Sequence, residues 1–148
     1  MDVEPPPTRD AERAMEDLWL YLHLALEAIW EYRFIYRNLD DLLARNRRLR
    51  EVYNRIVDRK LAAFGSLCQG LVASGAMEAS PEEIRALGRN VIVVATYWLN
   101  FQSIRRHRDD VSADDLGEGA YQVMSLVAPY LKGGARAHLD ALSARYID

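Results

Sequence analysis

The stretch SPEEIRALGRNVIVVATYWLNFQSIR, at residues 80–105, carries the clearest local structural signal of this chain. It opens with Ser80 and Pro81, and Glu83 stands three residues after the serine. A serine N-cap, a proline in the first helical position and a glutamate at the third are the pattern of a capped helix start. The sequence therefore predicts a helix from Pro81 to about Arg105.

Both sides of this predicted helix are apolar or aromatic. A surface helix of a monomer has one apolar stripe, whereas a helix with two such sides has to be covered on both. One side carries Val93, Tyr97, Asn100, Phe101 and Ile104, and the opposite side carries Val91, Ala95, Trp98 and Gln102.

The next predicted helix, from Ala113 to about Leu131, has the same two-sided pattern, and its small residues permit a close approach of another helix. We therefore expect a symmetric dimer built on these two helices. The alternative is that both helices are central and are buried by their own chain. The residues assigned to the dimer interface are Val91, Ala95, Trp98, Gln102, Gly117, Tyr121, Met124 and Ala128.

The rest of the sequence also has helical periodicity and shows no alternating strand pattern. A Pro-containing lead-in over residues 1–14 is expected to precede a single domain over 15–148. Because Pro129 cannot continue a helix, it should end or kink the helix from Ala113. The sequence predicts an all-α bundle of about six helices, with the others at Asp10–Arg37, Asp40–Arg45, Arg47–Ala73 after an Asn46 N-cap, and beyond Gly133-Gly134 to near Tyr146.

Composition narrows the class of protein. The chain has 148 residues and a formal net charge of −3, which gives no overall attraction to nucleic acid. Its single cysteine, Cys68, cannot form an internal disulfide, and no secretory apolar region follows Met1. The most apolar run, residues 91–99, is far shorter than the roughly 20 residues that a membrane span needs. We therefore expect a cytoplasmic protein.

Aromatic residues are concentrated in two places. Six of the 14 aromatics lie between Trp19 and Tyr36, and a second group follows at residues 97–101. Aromatic side chains bury large areas, and Tyr and Trp carry a polar tip that needs a partner when buried. Such a concentration indicates either a cavity for an organic ligand or a large subunit interface.

The candidate chemical residues are few. His23 and Glu27 stand four residues apart and can pair on one helix face, but His107 and His138 lie in unrelated segments, so no metal site is indicated. Cys68 lies on an apolar stripe and is interpreted as a core thiol. No cofactor and no catalytic group are indicated, so we do not expect an enzyme. The basic run between Arg45 and Lys60 is interpreted as a solvated helix face, with phosphate contact as the alternative.

Three blocks of sequence carry a family resemblance. They are EYRFIYRNLDDLL at residues 31–43, VATYWLNFQ at 94–102 and GAYQVMSLVAPYL at 119–131. In this order and spacing they resemble the C-terminal domain of TetR-type transcriptional regulators. The resemblance implies an effector-binding domain that dimerises through its last two long helices as a four-helix bundle.

Regulators of this type also carry an N-terminal helix-turn-helix domain. We expect it to be absent from this chain, because the residues before Met15 are too few for three helices. DNA contact is then expected only through a helix-turn-helix domain that is not present in this chain. The chain itself is either an excised fragment or a natural protein without the DNA-binding domain.

Two functions follow from these expectations. The first is a homodimeric effector-binding domain, in which an unknown small apolar or aromatic ligand shifts the helix arrangement and so controls DNA binding. The alternative is a helical dimerisation module without a physiological ligand. The pocket is expected between the helices that begin at Asp10, Arg47 and Pro81, lined by Trp30, Phe34, Tyr53, Tyr97, Asn100 and Phe101.

Overall fold

The computed structural model describes residues 9–106 and 111–144, and this part of the chain is all-helical, as predicted. It forms seven α-helices and a short 3-10 helix at Ala128–Tyr130. The α-helices are α1 (Arg9–Glu31), α2 (Arg33–Arg37), α3 (Leu39–Arg45), α4 (Arg47–Ala73), α5 (Pro81–Arg105), α6 (Ala113–Val127) and α7 (Gly133–Ser143).

The predicted helix starts are confirmed by their hydrogen bonds. The Glu83 backbone N–H donates to Ser80 Oγ at 3.1 Å, and the Ser80 N–H donates to Glu83 Oε1 at 3.0 Å. Asn46 caps α4, since its Oδ1 accepts from the Leu49 N–H at 3.0 Å. Each cap satisfies backbone donors that have no partner within the first turn of a helix.

Two boundaries differ from the sequence-based expectation. The helix expected over residues 10–37 is interrupted at Tyr32, which has φ −102° and ψ 26°, so α1 and α2 are separate and seven helices replace six. Helix α1 begins at Arg9, one residue before the expected start at Asp10, so residues 9–14 of the expected lead-in belong to this helix. The expected end of the last helix near Tyr146 and residues 1–8 lie outside the described part of the chain.

The core lies between α1, α4, α5 and α6. From α1 it takes Leu18, Leu22, Leu26 and Ile29, whose spacing places them on one face of the helix. Helix α6 contributes Val123, Met124 and Val127, whose side chains are at most 1% exposed. Helix α5 packs along α6 and α4, which agrees with the alternative that this helix is central. None of the described helices is long and apolar enough to cross a membrane.

Candidate ligand-binding cleft

An apolar cleft opens between α1, α4 and α5, and Val123 of α6 reaches its inner end. This is the position that the sequence predicted for a pocket. The volume that the centres of water-sized molecules can occupy in the cleft is about 40 Å³. The total empty volume, which includes the open mouth, is about 580 Å³. Its lining is Tyr21, Leu22, Ala25, Leu26, Ile29 and Tyr36, then Tyr53, Ile56, Val57, Lys60 and Phe64, then Gly88, Val91, Ile92, Ala95, Thr96 and Val123.

Small residues produce the space between the helices. Ala25 on α1 and Ala95 on α5 present a single methyl group to the cleft where neighbouring positions carry larger side chains. Gly88 allows α4 to approach closely, because a Cβ added there would lie 3.2 Å from Phe64 Cδ1. The close approach of α4 and α5 therefore depends on a glycine, and two alanines leave space within the lining of the cleft.

The polar groups of the cleft lie towards its two ends. At one end, the Tyr21 hydroxyl donates to the backbone oxygen of Lys60 at 3.0 Å, which ties α1 to α4. At the other end Tyr36 and Tyr53 are close enough for their charges to interact. Burial raises the pKa of Tyr36, and the neighbouring Tyr53 adds to this shift. Burial alone lowers the pKa of Lys60, because a partly dehydrated ammonium loses its proton more easily.

Of the six residues predicted to line a pocket, Tyr53 lines this cleft and the other five do not. Phe34 is 65% exposed on α2, where the Arg33 and Arg37 guanidinium groups lie 4.8 and 5.4 Å from its ring. The Arg33 guanidinium also lies 4.4 Å from the centre of the Trp30 ring. For Phe34 the break at Tyr32 is the reason, because the prediction placed this residue on one continuous helix with Trp30.

Tyr97 and Asn100 connect α5 to the α2–α3 segment instead of facing the cleft. The Tyr97 hydroxyl donates to Asp40 Oδ1 at 3.4 Å, and the Asn100 side-chain amide donates to the backbone oxygen of Tyr36 at 3.3 Å. Partial burial raises the pKa of Tyr97, and the negative charge of Asp40 raises it further. Phe101 is exposed and lies 5.8 Å from the Trp98 ring, centre to centre. These three side chains therefore belong to the outer side of α5.

Comparison with known proteins agrees with this architecture. Residues 3–139 match the TetR family model, described as a bacterial transcriptional repressor. The chain belongs to the TetR family.

A TetR-family transcriptional regulator from Marinobacter aquaeolei VT8, known from a crystal structure, is similar to this chain, with a TM-score of 0.76 and 33% sequence identity. The similarity covers 99% of this chain and 66% of the Marinobacter chain, so the protein spans about two thirds of the length of that relative. No curated protein matches the sequence significantly.

In this TetR-family protein most of the residues assigned to a dimer interface are buried within the single chain. Val91 and Ala95 line the cleft, and Met124 and Ala128 lie in the core. Gln102 is buried and donates to Asp115 Oδ1 at 2.8 Å and to Glu118 Oε2 at 3.1 Å.

The other three differ in their surroundings. Trp98 is partly buried and donates to the Asp115 backbone oxygen at 2.7 Å. Gly117 and Tyr121 are partly exposed. The exposed apolar side of α5 is the opposite one, with Val93, Tyr97, Phe101 and Ile104.

Sequence reasoning missed Tyr21, Tyr36 and Lys60 as cleft residues. A signal for Lys60 was available, since Tyr53, Ile56, Lys60 and Phe64 repeat at helical spacing along one face of α4. Grouping Lys60 with the arginines before it concealed this pattern. Tyr36 lies beyond the break at Tyr32, so its position beside Tyr53 depends on that break.

The first arginines of the basic run and the histidine pair are surface features in the structure. Arg45 pairs with Asp41 at 3.0 Å and Arg47 with Glu51 at 3.4 Å, each in the exposed i,i+4 arrangement. Such exposed pairs contribute little to stability. His23 lies 3.1 Å from Glu27, as the spacing predicted. Within residues 9–106 and 111–144 no group of three or more potential metal ligands occurs.

Proposed function

We propose that this chain is the effector-binding and dimerisation part of a TetR-type regulator, and that a small, mainly apolar molecule enters the cleft between α1, α4 and α5. The cleft itself is the observation that carries the proposal. An apolar concavity with a few polar groups is the usual form of a small-molecule site. DNA recognition is assigned to a helix-turn-helix domain of the intact regulator, and no catalytic role is assigned to any residue.

The narrowness of the cleft supports a mechanism by population shift. Ligand sites commonly have volumes of several hundred Å³, whereas the space for water-sized centres here is about 40 Å³. A bound molecule would therefore favour an arrangement in which α5 lies farther from α1 and α4. Because a ligand shifts an equilibrium only by its differential affinity for the two states, occupancy would stabilise the wider arrangement. Its consequence in the intact regulator is a changed spacing of two DNA-reading domains.

Self-association is proposed through the exposed apolar side of α5. Val93, Tyr97 and Phe101 lie on this side, and Ile104 next to them is 84% exposed. Monomeric proteins rarely expose contiguous apolar patches of this kind without a functional reason. Since α5 also lines the cleft, a shift of this helix on ligand binding would reach the proposed dimer contact directly.

The proposal is tested by filling the cleft. The substitution Ala25→Phe places a ring in the lining of the cleft, and Ala86→Phe adds the same ring to an exposed position of α5 outside the cleft. A ligand that binds only the folded state raises its melting temperature. We expect 1-octanol to raise the melting temperature of the wild type and of Ala86→Phe and to leave that of Ala25→Phe unchanged. Equal responses in all three proteins would contradict a ligand site in this cleft.

A dimerisation module without a physiological ligand is the second candidate. The small volume of about 40 Å³ that water-sized centres can occupy in the cleft favours it. Small molecules that co-purify with the wild type and are lost in Ala25→Phe, measured by mass spectrometry, would argue against it. Retention of dimerisation with no such molecule and no stabilisation by apolar probes would support it.

A further inference from the structure

Lys60 is the only cation on the described lining of the cleft, and its surroundings offer it no counter-charge. The residues one turn before and after it on α4 are Ile56, Val57, Ala63 and Phe64, so no carboxylate stands at i±3 or i±4. No ion pair of Lys60 occurs among the described residues. The other lining residues are apolar or neutral.

An uncompensated, partly buried ammonium is unfavourable in an apolar cleft, because it has lost part of its hydration without gaining an ionic partner. Burial accordingly lowers the pKa of Lys60. A ligand that brings a negative charge to this point would restore what the ammonium has lost, and a charge-assisted hydrogen bond is about twice as strong as a neutral one.

The second polar end of the cleft sets a length. Tyr53 and Lys60 lie on one face of α4, seven residues apart in the sequence. At about 1.5 Å per residue this corresponds to roughly 10 Å along the helix. Between them the lining is apolar, with Ile29, Ile56 and Ile92. At the Tyr53 end, Tyr36 brings a second phenol from α2.

We infer that the cleft takes an elongated apolar molecule with one carboxylate or similar anionic group, whose charge lies at Lys60 and whose far end lies beside Tyr36 and Tyr53. The inference rests on the ligand site proposed above and names the class of compound that the site selects. A neutral molecule of the same length fills the apolar section but leaves the ammonium unpaired.

The experiment compares octanoate with 1-octanol, which share the chain length and differ in head-group charge, in calorimetric titrations of the 148-residue chain. Lys60→Met removes the charge and keeps an apolar side chain of similar length. Arg59→Met is the matched control, because it removes a positive charge from the neighbouring exposed position. We expect octanoate to bind the wild type and Arg59→Met about tenfold or more tightly than 1-octanol, and Lys60→Met to lose that preference.

The outcomes separate the two proposals. Equal affinities for both compounds in the wild type, or a preference for octanoate that survives in Lys60→Met, would overturn the anionic class while leaving the cleft as a ligand site. Binding of 1-octanol to Lys60→Met is the internal evidence that the variant keeps its cleft, and Lys60→Gln replaces it if that variant does not fold. Absence of binding of both compounds to the wild type would overturn the ligand site and this inference together.

Discussion

The Trp98 indole rests directly on the backbone of Gly119. A Cβ added to Gly119 would lie 2.6 Å from Trp98 Cδ1 and 3.0 Å from Nε1. The same ring donates its Nε1–H to the Asp115 backbone oxygen at 2.7 Å, one turn earlier on α6. The indole therefore fills the space between α5 and α6 at a point where only a glycine leaves room for it.

Replacing Gly119 by alanine should destabilise the protein. Alanine in the interior of a helix is ordinarily about 0.5–1 kcal/mol more stable than glycine. At Gly119 the added methyl group collides with a ring that is held by a hydrogen bond, and overpacking of this kind costs about 1–3 kcal/mol. The free energy of unfolding in guanidinium chloride should therefore fall.

Gly65→Ala is the control, because a Cβ at this helical position of α4 meets nothing within 4 Å. Its free energy of unfolding should rise by about 0.5–1 kcal/mol. The same sign of effect at both glycines would contradict the account of the Trp98 contact.

Asp115 should be the most sensitive polar residue of the α5–α6 hairpin. Its side chain is 1% exposed. Oδ1 accepts from Gln102 and from Arg106, at 2.8 and 2.9 Å, and Oδ2 accepts from the Ser112 N–H at 2.9 Å. Asp115→Asn removes the charge and turns an amide towards these donors, which should lower the free energy of unfolding by about 2 kcal/mol, a value reduced by the half-exposed Arg106.

Asp114→Asn removes a carboxylate from the same first turn of α6 at an exposed position. It should cost only the interaction with the helix dipole, about 0.3–1 kcal/mol. Equal losses in the two variants, measured by the same denaturant titration, would assign the effect to the dipole and not to the buried carboxylate.

The thiol of Cys68 should be unreactive in the native protein. It is completely buried, and burial raises its pKa from 9.0 to about 12. Since only the thiolate reacts, labelling by a disulfide reagent at about pH 8 should be slow in the native state and fast in guanidinium chloride. The raised pKa also contributes stability that is present below pH 9.0 and is lost as the pH rises through about 12. Fast labelling without denaturant would contradict this burial.

Helix boundaries were predictable because the signals for them are local. Ser80, Pro81 and Glu83 specify the start of α5 through bonds within four residues, and Asn46 does the same for α4. The break at Tyr32 was not predictable, since no proline or glycine marks it. Phe34 follows this break, so the undetected turn accounts for its position outside the cleft, whereas Trp30 precedes the break and lies on a part of α1 that does not line the cleft.

The side of α5 that faces the core was also beyond local reasoning. Both sides are apolar, so periodicity alone does not distinguish Val91 and Ala95 from Val93 and Tyr97. Which side of α5 faces the core depends on tertiary contacts, among them the hydrogen bond from Gln102 of α5 to the buried Asp115 of α6. A glutamine among apolar residues was a usable signal, because a polar side chain on a buried face requires a partner.

Because Trp98 packs against α6 of its own chain, the proposed dimer contact is better tested at an exposed residue of α5. A charge at Trp98 would break the indole contacts with Gly119 and Asp115 and would therefore test folding. Ile104 is 84% exposed, so Ile104→Asp should change the stability of a single chain by no more than about 0.5 kcal/mol. In a dry interface the same charge would be left without a partner, which costs several kcal/mol.

We expect the wild type to sediment as a dimer at micromolar concentration and Ile104→Asp as a monomer. Leu20→Asp, at a 55% exposed position of α1, should remain dimeric. A monomeric wild type, or dissociation by both substitutions alike, would remove the α5 surface as the dimer contact.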